Sequence, residues 1–513
     1  MLWIALHLPL LSLESFAATY CGAADAVPMA LLDAQHIAHA NPVAQALGVK
    51  PGLKRATALA LAPHLVLGQA DPQRDAQALA AVAHIALAFT PSVSLQPAQE
   101  HAAASQTVLL DVQRSLRYFG GLDALVARLH EALAGLGHRI HCVHAPTAMG
   151  AALLARLHQQ LRCPDLAALH AALDAAPVWL LGPGREHWEA LQGMGLRTLA
   201  DLRRLPRAGI ARRFGEALLS ELDRARGDQP DPREVIVLPD RFESRAELFA
   251  RADTTEQVLQ GATVLLARLV AWLAAQHAQV RRFTLAMQHE ARRHSDTATP
   301  TSLNIALAEP SRDPAHLLVL LRERLARLPL SAPTFELHLC ADEIVHRAPP
   351  NSELFPTPGS EAEGLTRLIE RLQARLGNEQ VQRLVLVHDH RPERGSPAQA
   401  VHADTALSVK LGQRLGHKGL ASRSSPHIAP RPVWLLPEPE PLPERQSRPW
   451  FEGRALQLLS GPERIEAGWW DAGLAERDYF IAQALDGALL WIYRTRLPLS
   501  AGAQGWFLQG RFA

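Results

Sequence analysis

The stretch TVLLDVQRSLRYFGGLDALVARLHEALAGLGHRIHCVH, residues 107–144, decides the fold. Thr107 to Val112 is a short apolar run suited to a buried strand, and Phe119-Gly120-Gly121 is a turn signal. Leu122, Leu125, Val126, Leu129, Leu133 and Leu136 then recur at helical spacing, and Arg139 to His144 returns as a strand. A further apolar strand lies at Leu2–Leu8 (LWIALHL). Strand, helix and strand in this order give an α/β or α+β first domain, residues 1–175.

Further along, Arg241 to Val345 reads as strand 241–251, helix 254–277, strands 279–289 and 301–309, helix 312–327 and strand 333–345. That β-α-β-β-α-β order describes a ferredoxin-like small domain over 239–347. Before it, residues 176–238 alternate Gly-rich turns (Gly182-Pro-Gly184, Gly193-Met-Gly195) with short helices. Five arginines, Arg203, Arg204, Arg207, Arg212 and Arg213, fall between Leu202 and Gly215 with no acid among them. After it, a loop at 348–360 carries Leu354-Phe355 among Pro, Asn and Ser. Residues 361–376 look helical and 383–388 strand-like. Eight prolines between Pro426 and Pro449 then suggest that the partly ordered region 361–449 closes in an extended, polyproline linker. The remainder, 450–513, is rich in Trp and turn glycines and reads as a small β-rich module. The expected fold class is multidomain α+β.

Composition limits the function. A chain of 513 residues fits about three domains at roughly 150 residues each. Lys plus Arg number 52 against 51 Asp plus Glu, so a uniformly basic nucleic-acid coat is excluded and any phosphate-binding surface must come from local clustering. Cys21, Cys142, Cys163 and Cys340 are scattered without a C-x-x-C pair, which argues against a disulfide framework or zinc module and suits a reducing compartment. The first cation is Lys50, so the apolar start lacks the charged region of a signal peptide. No run of 18 apolar residues free of charge and Pro occurs, and no membrane span is expected. The protein reads as cytoplasmic.

Taken in order, several stretches resemble the Y-family translesion DNA polymerases, and within them the ImuB-type branch. They are the first strand running into Ser12-Leu-Glu14, then Ala46-Leu-Gly-Val-Lys-Pro-Gly-Leu53, then Leu110-Asp-Val112 with Arg117-Tyr-Phe-Gly120. Ala145-Pro-Thr147 and Met194-Gly-Leu-Arg-Thr-Leu-Ala-Asp-Leu202 follow. Together they cover residues 1 to about 345, and the C-terminal Gly461–Trp470 and Trp506-Phe-Leu508 look specifically ImuB-like. The resemblance implies palm and fingers over 1–175, a helix-hairpin-helix thumb over 176–238 and a little finger over 239–347.

The same resemblance implies what is missing. Two-metal nucleotidyl transfer needs carboxylates converging on both ions. The family's first Asp aligns with Ala5, and its Asp-Glu pair with Gln106 and Thr107. Its triphosphate-gripping Tyr and Arg align with Pro42 and Gln45, and a palm Lys with Ala148. No bound metal or cofactor is expected. Glu14, Asp111 and Asp123 lie near these strands without matching metal positions, and His7, on the same strand face as Ala5, reads as a satisfied core histidine.

Gly193 and Gly195 with Arg203, Arg204, Arg207, Arg212 and Arg213 fit sequence-independent contact with DNA backbone; the competing reading is a solvated helix face. Arg281 and Arg282 extend that track or mark an exposed strand edge. Asn351-Ser-Glu-Leu354-Phe355 resembles a clamp-binding peptide, with Asn351 where that peptide has Gln. Trp469, Trp470 and Trp506 are either core of the last module or interface anchors. The resemblance implies partners: primer-template DNA, a sliding clamp, a RecA-like accessory protein of the ImuA type, and the alpha subunit of an error-prone replicative-type polymerase. The resulting expectation is a non-catalytic scaffold in SOS-type damage tolerance. The alternatives are an active Y-family polymerase with an atypical metal site, and a general DNA-binding repair factor.

Overall fold

The protein is described here by a computed structural model, which covers residues 1–20, 26–97, 106–290, 300–330, 332–346, 358–385, 387–401, 430–471, 473–498 and 505–512. Two compact units emerge, Met1–Arg375 and Leu376–Ala513.

In the first unit the apolar run at the N-terminus becomes the strand Trp3–His7. It takes the centre of a five-stranded sheet ordered Val93–Leu95, Thr107–Asp111, Trp3–His7, His141–Ala145, Gln160–Arg162. Both central neighbours are antiparallel to it, with Ala5 opposite Leu109 on one side and Val143 on the other. Side chains alternate across a strand, so Ile4 and Leu6 join Val108 and Leu110 beneath the helices Pro72–Leu87 and Leu122–Ala134. Ala5, Leu109 and Val143 face the other way, into a core shared with the helix Ala148–Ala155. Every residue of that helix is buried.

A three-stranded sheet has the order His36–Ala40, Met29–Asp33, Val66–Gln69, in the region where fingers are expected. The expected thumb is a series of short helices from Gly182 to Arg226. The small domain has the β-α-β-β-α-β connectivity read from the sequence. Its elements are strand Glu243–Ala252, helix Thr255–Ala275, strands Ala278–His289 and Thr301–Ser311, helix Pro314–Ala326 and strand Thr334–His346. The sheet is antiparallel throughout, and the second and fourth strands lie at its centre. Thr254 and Gln257 form a reciprocal capping box that starts the long helix. That helix is long and apolar enough to cross a membrane, yet it is a core element: Leu265, Leu269 and Trp272 are buried among the strands, and Trp272 Nε1 donates to Pro239 O at 3.0 Å.

In the second unit five antiparallel strands stand in the order Trp434–Leu442, Trp506–Arg511, Leu489–Thr495, Ala475–Gln483, Gln457–Ala467. The first of these corrects the expectation of a polyproline linker up to residue 449. Proline cannot donate to a ladder and is confined to edges and bulges. Trp434–Leu442 is an edge strand, and its register with Trp506–Arg511 breaks between Leu435 and Glu440, where Pro437 and Pro439 fall. The β-rich module therefore begins before residue 450.

Replacing Trp272 by Ala is expected to cost about 3–5 kcal/mol, the range for deleting a large buried aromatic. Denaturant unfolding of the full chain checks this; a loss under about 1 kcal/mol would mean the helix is loosely seated.

Candidate functional site

The centre of the first sheet holds Ala5 and Thr107, two of the positions that the resemblance aligns with metal-binding carboxylates, and it is packed with neutral groups. Ala5 is 0% exposed. Two residues on, His7 lies opposite Thr107, and their Nδ1 and Oγ1 atoms are 2.9 Å apart. Gln106 contributes its carbonyl, which accepts from the Leu8 amide at 2.9 Å. The ring of His141 lies 5.9 Å from that of His7. Burial first, then the neighbouring His141 and Arg156, push the His7 imidazole down to about 4, so it is neutral at pH 7.

The nearby acids are engaged elsewhere. Glu14 accepts from the Arg139 amide at 3.1 Å and lies 3.3 Å from His138 Nδ1. Asp111 accepts from the Gln113 amide, and Asp123 pairs with Arg162 at 3.1 Å. Among the described residues no three His, Cys, Asp or Glu side chains are grouped to hold a metal. An alanine, a threonine and a neutral histidine do not make a donor set for a hard divalent cation, which takes oxygen ligands and chiefly carboxylates. The residues present thus do not fit the metal pair that this fold family carries.

The positions aligned with the nucleotide grip have structural roles. Pro42 occupies the first turn of the helix Pro42–Ala46. Gln45 donates to Ala40 O at 2.7 Å, and Ala148 is buried in the first core. Asn41, which the sequence reading passed over, organises this corner. Its side chain accepts from the Ala44 and Met29 amides and donates to Val27 O at 2.7 Å. An Asn directly before Pro is a legible helix start.

The arginine cluster looks different in three dimensions. Arg203 pairs with Asp174 at 2.8 Å, Arg204 with Asp201 at 3.6 Å, and Arg207 grips Asp223 through both terminal nitrogens. The acids missing between Leu202 and Gly215 are supplied from outside that stretch. Arg212 and Arg213 are exposed, and among the described residues neither has an ion pair; the Arg213 guanidinium lies over the Phe214 ring.

Nor are the hairpin amides open. Gly195 adopts φ +82°, the left-handed turn glycine allows. Its amide donates to Gln192 O, those of Met194 and Leu196 to Leu191 O, those of Arg197 and Thr198 to the Asp201 carboxylate, and that of Leu199 to Ala176 O. The expected phosphate donors around Gly193 and Gly195 are occupied inside the protein. Asp201 closes a capping box with Thr198, a T-x-x-D pattern that the sequence displayed. Arg281 and Arg282 share Glu343, each at 3.5 Å.

A cavity of about 570 Å³ opens beside the thumb helices, lined by Gly182, Glu186, Glu221, Arg224, Asp231 and Arg233 among others. Glu221 accepts from the Gly182 amide at 3.0 Å, and burial raises its pKa. Asp231 holds Arg233 at 2.5 Å. Four carboxylates (Glu186, Glu221, Asp231, Glu234) outnumber the two arginines, Arg224 and Arg233, and Arg233 is already held by Asp231, so the balance of charge does not suit a triphosphate.

In the second unit the three tryptophans separate. Trp506 is 4% exposed and packs on Phe480 in the core; this corrects its reading as a partner anchor, because a ring that fills the sheet's interior cannot also meet a partner. Trp469 and Trp470 are 78% and 54% exposed at a strand-to-strand turn. The turn is braced from below: buried Arg391 bonds Asp389, Asp471 and Gly473 O, and lies 5.5 Å from the Trp470 ring. Asn351, Leu354 and Phe355 lie outside the described residues.

A five-stranded sheet, a three-stranded sheet, a run of short helices and a β-α-β-β-α-β domain follow one another in the order expected of a Y-family polymerase-like fold, with an added β-rich module. No family model matches the chain. It is similar to Protein ImuB of Caulobacter vibrioides strain NA1000 / CB15N, 28% identical over 486 residues that span 91% of this chain and all of the relative. The protein of the same name from strain ATCC 19089 / CIP 103742 / CB 15 matches to the same extent. Solved structures align loosely: the Dbh ternary complex at TM-score 0.36 and 17% identity, covering 67% of this chain and 99% of that one, and DinB from Sulfolobus solfataricus at TM-score 0.35 and 17% identity, covering 67% and 98%.

Because His7 binds its proton later in the folded state (about 4) than in the unfolded chain (6.5), the unfolded state gains protons first as pH falls. Stability should drop between pH 6.5 and 4, by about 3 kcal/mol at the limit, and level off below. A His7→Gln variant should lose that component. An NMR titration of His7 with a midpoint near 6.5 would contradict the buried, neutral assignment.

Proposed function

We propose that this protein is a non-catalytic, Y-family polymerase-like scaffold of SOS-type DNA damage tolerance. It binds primer-template DNA without sequence preference, docks on the sliding clamp, and brings a separate error-prone replicative-type polymerase and a RecA-like accessory protein to the lesion. The observation that carries this reading is the neutral, close-packed centre of the first sheet: Ala5 and Thr107, which with Gln106 align with the family's metal-binding carboxylates, lie there beside His7. Near-full-length similarity to Protein ImuB supports it. The scaffold acts by effective concentration, several modest contacts on one chain adding to avidity.

Each contact has a candidate. For DNA it is Arg212 and Arg213, whose charges are not balanced by a neighbouring carboxylate, rather than Arg203, Arg204 and Arg207. For the clamp it is Asn351-Ser-Glu-Leu354-Phe355, on the strength of the sequence pattern. For a protein partner it is the Trp469–Trp470 turn, since exposed aromatics held rigid lose little entropy on binding. A cytoplasmic, nucleoid-associated location is part of this reading, supported by scattered cysteines without a C-x-x-C pair.

Primer extension by the purified chain with Mg²⁺ or Mn²⁺ and all four nucleotides should give no product; robust extension would remove the scaffold reading. Converting Arg212 and Arg213 to Ala should weaken DNA binding and flatten the slope of log affinity against log salt by about 2, whereas Arg203→Ala should leave the slope nearly unchanged. Equal effects from both would mean that the ion pairs open on DNA.

A further inference from the structure

A helix packed on a domain ordinarily turns its leucines inward, because each one buried contributes about 1.5–3 kcal/mol. The helix Pro358–Leu376 does the reverse. Its domain-facing side is polar. Glu370 Oε1 accepts from the Ala308 amide at 2.6 Å, on the edge strand Thr301–Ser311, and its Oε2 lies 2.8 Å from His316 Nε2. Arg367 bonds Asp313 at 3.0 Å, Thr366 and Gln373 are buried, and Ala374 joins the core of the small domain. These directional contacts fix the rotation of the helix about its axis.

That rotation leaves Leu365, Leu368 and Leu372 at 51%, 50% and 38% exposure, and Leu376 exposed at the helix end. Spacings of three and four put them in one stripe. Arg371 and Arg375 are exposed on the same helix, and among the described residues neither has an ion pair. The one carboxylate between Gly364 and Leu376 is Glu370, which is turned inward.

We propose that this leucine stripe, with Arg371 and Arg375 beside it, is a docking face for an acidic amphipathic helix of a partner protein. Leucines at these intervals match the apolar anchors of a helix laid alongside, and unpaired guanidiniums call for carboxylates on its flanks. A second copy of this chain is a poor occupant, since the described part of the stripe offers no outward carboxylate to meet its partner's arginines. Nucleic acid would use the arginines and leave the leucines in water.

The test uses the full chain and a stapled synthetic helix of about 18 residues carrying leucines at i, i+3 and i+7 with flanking glutamates. Fluorescence anisotropy should show saturable binding that Leu368→Gln/Leu372→Gln weakens at least about tenfold, with the melting temperature unchanged because both side chains are exposed. Arg371→Glu/Arg375→Glu should weaken binding similarly and restore it for a lysine-flanked version of the peptide. Absence of saturable binding, binding indifferent to both variants, or a dimer in sedimentation that the leucine variant dissolves would each overturn the proposal.

Discussion

The first unit is organised around a single strand, Trp3–His7, hydrogen-bonded on both sides and covered on both faces. A position so enclosed tolerates a charge only with compensation, because an unpaired buried carboxylate is strongly disfavoured. Ala5 and the His7–Thr107 pair meet that constraint with neutral groups, and the helix Ala148–Ala155 can then close over them with alanines and leucines alone. Close packing and neutral side chains at the centre of the sheet are therefore one feature: a strand enclosed on both faces is filled with groups that carry no charge.

Charge is rearranged by the same logic in the helical segment. Asp174, Asp201 and Asp223 each draw an arginine onto the surface of the helices, and Asp201 also takes the turn's main-chain amides. Exposed pairs of this kind add little stability, but they set which cations remain available to a phosphate. Of the five arginines between Leu202 and Gly215, Arg212 and Arg213 stay outward, with no ion pair among the described residues. A surface with few uncompensated charges attracts phosphate weakly on its own.

In both units exposed apolar side chains are held in place by polar contacts beneath them. Arg391 and Asp471 support the tryptophan turn, and Gly468 at φ +82° makes that turn possible, since a Cβ there would lie 2.3 Å from Gly473 O. Glu370 and His316 perform the corresponding task for the leucine helix. In each case a buried, fully bonded charge orients apolar side chains outward.

The sequence by itself determined the element order of the first sheet and of the small domain, because apolar periodicity and turn residues are local signals. It also showed that Ala5, Gln106 and Thr107 lack charge, since that is a matter of residue type alone. It misread the proline-rich stretch as linker, because the partner strand that makes Trp434–Leu442 an edge lies about seventy residues away. It could not divide buried Trp506 from exposed Trp469 and Trp470, nor see that Asp174 and Asp223 neutralise Arg203 and Arg207, nor tell which face of residues 358–376 points outward. Those outcomes depend on which distant side chain arrives at a given place, and only the tertiary structure decides that.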